Sequence, residues 1–464
     1  MAIEGAGGEE WLSFVKLGGY DPRLWQERLN AARQRIPAIR QRDVRLRLVD
    51  HHGAPLARTT IDVEQVGSDF QWGFCGWGLL NQLDDGSFDN MPQVHTRRLQ
   101  QNLFNAINLM HYWAERNCDN APQSEEYLGH VDYDLLDQAV TWARGNGLAA
   151  KGHPLYWPVP KALPAWLARY DLETRRRFLE VRIRQITARF RGRIQVYDAV
   201  NEMMWEPTLA HTATRHWPHL ERIEDVADEA AQVLTWARDE DPGARYLLNE
   251  YGIGRGDHKP VPVPANTGET ITHDQQLDRF IALGQHLVDR GQAPDALGIQ
   301  SLPGDWNDIA MLDDTISAIG ESTALPVHIT EARTSTKHLG DMPRPEALER
   351  FADYAEAVVT VCFGNPHLEA FYFWGSWDLI ERRKPTPVYQ RLYQLIHERW
   401  RTRCTVTSDD EGRIAFTGYT GQYQLHLRHP GGRIGAWPLQ VPASLVGGLD
   451  CDLRIPGWQA DHKS

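Results

Sequence analysis

Residues 194–202 read IQVYDAVNE, a short apolar run that ends in two polar residues, Asn201 and Glu202. A longer segment with helical spacing, IEDVADEAAQVLTWARDE, follows at 223–240. The first has the length of a strand buried on both faces, and the second has the length and periodicity of an amphipathic helix. Together they predict one β/α unit.

The same unit recurs through the middle of the chain. Seven further apolar segments, each followed by a helical pattern, lie at 70–75, 103–108, 148–157, 245–252, 296–301, 326–331 and 369–376. Buried strands that alternate with helices form a parallel sheet, and eight such units close into a (β/α)8 TIM barrel. An open doubly wound sheet is the alternative, which is weakened because no G-x-G-x-x-G motif follows the first strand.

The two ends of the chain have a different texture. Residues 1–67 contain a helical pattern at 21–41 and two alternating segments, at 43–50 and 57–66, which we expect to pair as a β-hairpin arm. Residues 401–464 alternate again between turn-rich stretches. Because isolated hairpins are marginal in water, we predict that both ends form one small accessory β module beside a barrel of residues 68–400.

Composition excludes several classes of protein. There are 49 Lys and Arg against 62 Asp and Glu, a net charge of −13, which argues against general nucleic-acid binding. No run approaches the ~20 apolar residues of a membrane helix, and the first residues do not resemble a secretory signal. Five cysteines at irregular spacing (75, 118, 362, 404 and 451) suggest reduced thiols. We therefore expect a cytoplasmic protein without a membrane partner, and leave its oligomeric state open.

Polar residues end most of the predicted barrel strands. In a TIM barrel the active site lies at this end of the strands. Glu202 and Glu331 close the fourth and seventh strands and would face each other across the barrel mouth. A lone Glu at a strand end is usually a surface group. Two of them in this arrangement supply the proton donor and the nucleophile that a glycosidase needs on either side of a sugar C1.

The strand ends also carry a family resemblance. KGHPLYW (151–157), YDAVNE (197–202), LLNEYGI (247–253), GIQS (298–301), HITEA (328–332) and FWGSWD (373–378) resemble the motifs of glycoside hydrolase family 10, the endo-β-1,4-xylanase family. The resemblance covers roughly residues 68–400. It implies a retaining enzyme without metal or organic cofactor, with Glu202 as general acid/base and Glu331 as nucleophile. It also implies a carbohydrate substrate held by Asn108, His153, Trp157, Asn201, Tyr251, Gln300 and Trp374.

The chain departs from the family pattern around the glycone pocket. The usual Glu-Asn-x-x-Lys becomes Ile107-Asn108-Leu109-Met110-His111, and Leu302 and Pro158 stand where the family has His. We expect His111 to contact the substrate in place of the Lys. The changed pocket leads us to expect poor activity on polymeric xylan and better activity on short substrates.

Two further departures lie after the seventh and eighth strands. Arg333 replaces a common Asp two residues after Glu331. It could lower the pKa of Glu331, bind a substrate carboxylate, or pair with an acidic loop residue. The usual second Trp over the glycone side is missing or moved, and we expect Trp377 to take its place as a substrate contact.

Two other functions remain open at this point. The chain could bind carbohydrate on a barrel that has lost turnover, although binding alone needs neither Glu, or it could cleave a different β-glycoside by the same mechanism. A metal-dependent barrel enzyme is disfavoured because no ligand cluster is apparent. His211, His216 and His219 lie close together near Trp205 and Trp217, but their spacing favours an aromatic wall or an ordinary loop over a metal site.

Overall fold

The computed structural model describes residues 21–76, 92–114, 124–206, 209, 222–254, 260–262, 270–302, 306–428 and 434–456. Its α-helices are α1 (Pro22–Arg40), α2 (Pro92–Leu103), α3 (Asp134–Gly145), α4 (Leu172–Arg189), α5 (Ile223–Glu240), α6 (His273–Asp289), α7 (Ile309–Thr323), α8 (Arg344–Phe363) and α9 (Pro387–Tyr393). Short 3-10 turns occur at Pro160–Ala162, Ala165–Arg169 and Thr336–Leu339, and a π-helical turn at Gln394–Arg399.

The strands are β1 (Gln41–Val49), β2 (Thr60–Ser68), β3 (Gln71–Cys75), β4 (Ala106–Met110), β5 (Ala149–His153), β6 (Val196–Asn201), β7 (Arg245–Glu250), β8 (Val261–Pro262), β9 (Thr270–Ile271), β10 (Ala296–Ser301), β11 (Val327–Ala332), β12 (Leu368–Phe373), β13 (Ile380–Glu381), β14 (Lys384–Pro385), β15 (Arg403–Thr407), β16 (Arg413–Tyr419), β17 (Gly421–Arg428), β18 (Ile434–Val441) and β19 (Leu449–Arg454). The pairs β8–β9 and β13–β14 are two-stranded hairpins on barrel loops.

Eight of these strands close a barrel in the order β10-β11-β12-β3-β4-β5-β6-β7. Every pair of neighbours in the barrel is parallel. Each barrel strand overlaps one of the eight segments that the sequence predicts. The predicted (β/α)8 barrel is therefore confirmed.

The two faces of the barrel strands have different surroundings. Ile107 and Leu109 of β4 belong to a large hydrophobic core shared with the surrounding helices. Because side chains alternate along a strand, Asn108 points to the opposite side, into the barrel interior. By the same alternation, Lys151 and Asp198 lie inside, where Lys151 is paired with Asn108 in the strand register. The interior thus contains charged groups just below the ends of the strands.

The two ends of the chain meet in an accessory module. Strand β1 pairs antiparallel with β16 and parallel with β19, while β2 pairs antiparallel with β15 and β17. The sheets β16-β1-β19 and β15-β2-β17-β18 share a second hydrophobic cluster, which includes Leu46, Val63 and Leu425. Each sheet therefore covers the apolar face of the other.

The predicted hairpin of the two N-terminal strands is wrong, because β1 and β2 lie in different sheets. The alternation of apolar and polar residues shows that one face of each strand is buried, but it does not show which other strand lies beside that strand. The connection between Val49 and Thr60 is also longer than the two to five residues of a tight hairpin. Division of the chain after residues 67 and 400 stays a proposal. Among the described residues, no helix has the length and apolar composition that crossing a bilayer requires.

Candidate active site

Several of the residues singled out by the sequence lie at the ends of the barrel strands. His153 is the last residue of β5, Glu202 follows β6, Tyr251 follows β7, and Glu331 lies near the end of β11. Since the barrel strands are parallel, their C-terminal ends meet at one end of the barrel, which we call the mouth. The position matches the active-site location of TIM-barrel enzymes.

Two side-chain donors, one on β10 and one after β5, hold the carboxylate of Glu202. Nε2 of Gln300 donates to its Oε1 at 2.6 Å, and Nε1 of Trp157 donates to its Oε2 at 3.0 Å. The backbone of Glu202 has a φ of +55°, a left-handed conformation that non-glycine residues rarely adopt. Its N–H donates to the carbonyl oxygen of Asn249 at 2.8 Å. The chain therefore turns sharply at Glu202 and places a half-buried carboxylate at the mouth.

An amide relay holds Glu331. Nδ2 of Asn249 donates to Oε1 of Glu331 at 3.1 Å and to Oδ1 of Asn201 at 2.8 Å. Oδ1 of Asn249 accepts the hydroxyl of Thr330, which fixes the orientation of the amide. Glu331 pairs with Gln300 in the register of β10 and β11. Asn249 on β7 and Gln300 on β10, which hold one carboxyl group each, therefore come from adjoining strands.

Burial decides the protonation of Glu331, whose side chain is 4% exposed. Desolvation and the nearby carboxylate of Glu202 raise the pKa of Glu331 well above its usual range, although Lys151 and the Asn249 amide oppose the shift. Two carboxyl groups that repel each other retain one proton between them over a wide range of pH. One shared proton is the number that one acid and one nucleophile require, but the raised pKa of Glu331 places that proton on Glu331 in the free protein, so the proton must lie on the other carboxyl group before Glu331 can act as a nucleophile.

A buried ion pair lies beneath the two carboxyl groups. Nζ of Lys151 contacts Oδ2 of Asp198, and the same oxygen lies 2.6 Å from Nδ1 of His153. The side chains of Lys151 and Asp198 are 0% exposed. Burial acts to raise the pKa of Asp198, but the charge of Lys151 and the contact with His153 lower it overall. Asp198 thus orients the His153 ring at the mouth.

Aromatic rings line one side of the mouth. The His153 ring lies 5.7 Å from Trp374 and 6.1 Å from Tyr112, measured between ring centroids. Tyr112 lies 5.6 Å from Trp157. These rings form one continuous wall that leads to Glu202. Trp157 is partly exposed and has an apolar face of the kind that suits the packing of a sugar ring, whereas Tyr112, His153 and Trp374 are buried.

Comparison with known proteins now decides the family. A family model described as Glycosyl hydrolase family 10 matches residues 89–381 of the 464. The chain belongs to glycosyl hydrolase family 10. The predicted membership is therefore confirmed.

Individual relatives of this family 10 chain are distant. It is 24% identical to anti-sigma-I factor RsgI6 of Acetivibrio thermocellus over 418 residues, which cover 87% of the chain and 47% of that protein. It is 22% identical to endo-1,4-beta-xylanase 3 of Arabidopsis thaliana over 446 residues, which cover 92% of the chain and 51% of that protein. The chain thus spans about half the length of these curated relatives.

Solved structures share the fold. GH10 from Paenibacillus barcinonensis superposes with a TM-score of 0.52 at 17% identity, over 71% of this chain and 96% of that one. Xylanase 10B from Thermotoga petrophila RKU-1 in complex with xylobiose gives a TM-score of 0.50 at 17% identity, over 71% and 95%. At these identities the likeness shows the fold alone.

The structure does not support a substrate contact for His111, which is 2% exposed. His111 follows β4 on the same side as Ile107 and Leu109, outside the barrel wall. A Cβ atom placed on Gly152 would lie 2.8 Å from Nε2 of His111 and 2.7 Å from the Tyr197 ring, so His111 packs behind the strands. Burial lowers the pKa of this histidine well below its usual range, which keeps the ring neutral.

The structure does not support Trp377 as a substrate contact either. Its indole is 1% exposed and packs against Phe351, Phe371 and Phe373 in the hydrophobic core between barrel and helices. Its Nε1 donates to the carbonyl oxygen of Ala332 at 2.5 Å. The sequence placed Trp377 close to the mouth, but a left-handed φ of +46° at this residue accompanies a turn of the chain back into the core.

Arg333 does not lower the pKa of Glu331 as one hypothesis held. The pKa of Glu331 is raised, and the cation that opposes this shift is Lys151. The Arg333 side chain is exposed, and its Cγ would lie 3.6 Å from a Cβ placed on Gly375, next to Trp374. Among the described residues no acidic partner pairs with it. Binding of a substrate carboxylate and pairing with an acidic residue outside the described part of the chain both stay open for Arg333.

Asn108 lies deeper than the mouth. It is 0% exposed in the middle of β4, and neither atom of its amide has a hydrogen-bond partner among the described residues. The His-rich segment with His211, His216 and His219 lies outside the described residues.

Sequence reasoning missed a second group of acids beside Glu202. Burial and the charge of Glu202 raise the pKa of Glu206 to about 7. Burial also raises the pKa of Glu250 well above its usual range, and the pKa of the Tyr251 phenol rises through burial and these carboxylates. The polar run Asn249-Glu250-Tyr251 at the end of β7 was the available signal for this group.

Proposed function

We propose that this family 10 chain hydrolyses β-1,4-linked xylan-type oligosaccharides with retention of configuration. Glu331 is the proposed nucleophile and Glu202 the proposed general acid/base. The observation that carries the proposal is the pair of carboxyl groups held at one mouth, Glu202 by Gln300 and Trp157, and Glu331 by Asn249.

The proposed reaction has two steps. Glu331, as carboxylate, attacks the anomeric carbon while Glu202 gives its proton to the leaving oxygen, which yields a glycosyl-enzyme and the free alcohol. Glu202, now a carboxylate, then takes a proton from water, and the hydroxide oxygen displaces Glu331 from the anomeric carbon. Each carboxyl group returns to its starting state, and no other reactant is consumed.

The different surroundings of the two carboxyl groups support this division of roles. Glu202 is half-buried and lies at the aromatic wall, where a leaving group and water have access to it. Glu331 is deeply buried, with its Oε1 fixed by an amide. A nucleophile must be held in one geometry, whereas a proton shuttle must also reach solvent.

The proposed glycone contacts come from the residues around this pair. His153, Trp157 and Trp374 offer ring faces, and Asn201, Gln300 and Tyr251 offer hydrogen-bonding groups. Arg333 is a proposed contact for a carboxylate on the substrate, since its side chain is exposed next to Gly375. The loss of the family Glu and Lys, at Ile107 and His111, supports a preference for short substrates.

Chemical rescue of alanine variants tests the proposal. On an aryl glycoside with an activated leaving group, Glu202→Ala should form the glycosyl-enzyme and then stall, because general-base help worth roughly 10²–10⁴-fold is lost. Added azide needs no base and should restore turnover with a β-glycosyl azide as product. Glu331→Ala should form no glycosyl-enzyme and give only an α-glycosyl azide.

The products decide between the alternatives. Exchanged configurations of the two azides would reverse the role assignment. Full activity in both variants would remove the two glutamates from the mechanism. Binding of xylo-oligosaccharides by the wild-type protein without hydrolysis would favour a carbohydrate-binding protein.

We also propose a reducing, cytoplasmic location. Its support is that Cys75, Cys362, Cys404 and Cys451, four of the five cysteines, are free thiols, as is usual in reducing compartments. Detection of the protein in the culture medium or periplasm of its source cells would contradict it.

A further inference from the structure

Glu250 joins two loops at the barrel mouth. It is the last residue of β7 and is 1% exposed. Its Oε2 accepts the N–H of Met204 at 3.1 Å, and its Oε1 accepts the N–H of Tyr251 at 3.0 Å. Because Met204 belongs to the loop after β6 and Tyr251 to the loop after β7, one carboxyl group holds both.

The loop that Glu250 holds begins at the proposed proton donor. Glu202 adopts a φ of +55°, a conformation that costs a non-glycine residue free energy and persists only where the surroundings enforce it. Its own N–H is bound by Asn249, and two residues later the N–H of Met204 is bound by Glu250. Adjacent residues of β7 thus hold both sides of the strained turn.

A second anchor lies farther along the same loop. Nε1 of Trp205 donates to Oε1 of Gln276 on α6, and Nε2 of Gln276 donates to the carbonyl oxygen of Tyr251 at 2.9 Å. Gln276 is 0% exposed. The loops after β6 and β7 are therefore coupled twice, and Glu250 is the attachment nearer to Glu202.

We propose that Glu250 is a positioning residue for the proton donor: by accepting the Met204 N–H it fixes the turn that carries Glu202 and so aims the Glu202 carboxyl group at the leaving oxygen. The inference rests on the proposed function. Glu250 acts through the backbone and has no contact with the substrate in this role.

The burial of the Glu250 carboxyl group supports a functional reason for the presence of a glutamate at this position. Removing such a group from water is unfavourable unless hydrogen bonds replace the lost solvation. Burial and the charge of Glu202 raise the pKa of Glu250, and the two backbone N–H groups only partly oppose the shift. Unfavourable groups of this kind tend to collect at functional sites.

Dependence on the leaving group separates positioning from mere stability. A dinitrophenyl leaving group departs with little help from an acid, whereas phenol needs a correctly placed proton. Misplacement of Glu202 should therefore reduce kcat/KM on a phenyl β-xylobioside and largely spare the dinitrophenyl β-xylobioside. A loss of folded protein would reduce both rates by the same factor.

Three variants test this dependence. Glu250→Met keeps the length of the side chain and removes both acceptors, and Glu250→Gln keeps one. The matched control is Asp50→Leu: Asp50 is also 1% exposed and accepts two backbone N–H groups, of His52 at 2.8 Å and Ala54 at 2.9 Å, but it lies in a turn of the accessory module. Thermal unfolding of each variant reports its folding.

For Glu250→Met we expect kcat/KM on the phenyl substrate to fall roughly 10²-fold, which is the size of effect that a misplaced catalytic group produces. On the dinitrophenyl substrate we expect kcat/KM to change by less than about threefold. Glu250→Gln should fall between this variant and wild type, so it carries the test if the Met variant fails to fold. Added azide should raise kcat of both Glu250 variants on the dinitrophenyl substrate. Asp50→Leu should show no leaving-group dependence.

The inference would be overturned if a folded Glu250 variant lost kcat/KM equally on the two substrates, or kept wild-type values on both. In either case the activity of the wild-type protein would leave the proposed function intact. A wild-type protein that hydrolyses neither substrate would overturn the proposed function, and with it the inference that rests on it.

Discussion

Replacement of Lys151 by Met should destabilise the protein by about 3–5 kcal/mol, the usual effect of removing one partner from a buried ion pair. Lys151 and Asp198 are both 0% exposed, and Nζ contacts Oδ2 directly. In Lys151→Met the Asp198 carboxylate keeps only the contact with His153, at 2.6 Å. A buried charge would then lack its counter-charge.

The same variant should change the pH dependence of activity. Lys151 opposes the rise in the pKa of Glu331, so its removal raises that pKa further. The proposed nucleophile must be ionised, and its ionised fraction increases as pH rises through the pKa. The acidic limb of kcat/KM should therefore move to higher pH in Lys151→Met, with a smaller change on the alkaline side.

Urea unfolding and a pH profile on an aryl xylobioside measure both effects. The double variant Lys151→Met/Asp198→Asn should be more stable than Lys151→Met, because it no longer buries an unpaired carboxylate. Arg177→Met is the control, since the ion pair of Arg177 with Glu173 is exposed on α4 and should contribute little. A loss below about 1 kcal/mol in Lys151→Met, as for a surface pair, would refute the reasoning.

Three further outcomes follow from the site. Arg333→Gln should reduce kcat/KM on an aryl β-glucuronide by roughly tenfold, as loss of a charge-assisted hydrogen bond does. It should leave kcat/KM on the aryl β-xyloside unchanged. Equal effects on the two substrates would exclude a contact between Arg333 and a substrate carboxylate. Glu331→Gln should raise the melting temperature at pH 8 but not near pH 4. A carboxyl group with a raised pKa contributes its full stability to the folded state below its unfolded pKa and loses that stability as pH rises. Equal melting temperatures of variant and wild type at pH 8 would contradict this. The wild-type protein should prefer an aryl xylobioside to soluble xylan, since remote sugars accelerate a reaction only if they are bound; abundant internal cleavage of xylan would argue otherwise.

The barrel and its mouth could be predicted because their signals are local. A buried strand of a parallel sheet appears as a short apolar run, and the polar residues that end the run mark the mouth. Glu202, Gln300 and Glu331 all follow this rule, and hydrogen bonds place Gln300 against Glu202. The family motifs then suggest roles for residues that the strand pattern has already brought to one end.

The errors arose where a side chain's direction depends on tertiary packing. His111 and Trp377 both lie within a few residues of a strand end, but the first packs behind the barrel wall and the second turns into the core. No periodicity applies to a loop residue, so sequence spacing cannot show its direction. The partners of β1 and β2 were missed for a related reason, because alternation defines a buried face and not a neighbouring strand.

The departures from the family pattern leave the proposed nucleophile well held. Leu302 and Arg333 stand where the family pattern has a His and an Asp, so an imidazole is lost and a carboxylate is replaced by a guanidinium. Yet Asn249 donates a hydrogen bond to Glu331, and the positive charge of Lys151 acts to lower the pKa of Glu331. Asn249 and Lys151 both lie inside the barrel. Because neither Asn249 nor Lys151 is among the proposed substrate contacts, the contacts to the sugar can change without removal of these two supports of Glu331. Substitutions along the glycone side should consequently alter KM and substrate choice, whereas substitutions of the interior residues should alter the pH profile on every substrate alike.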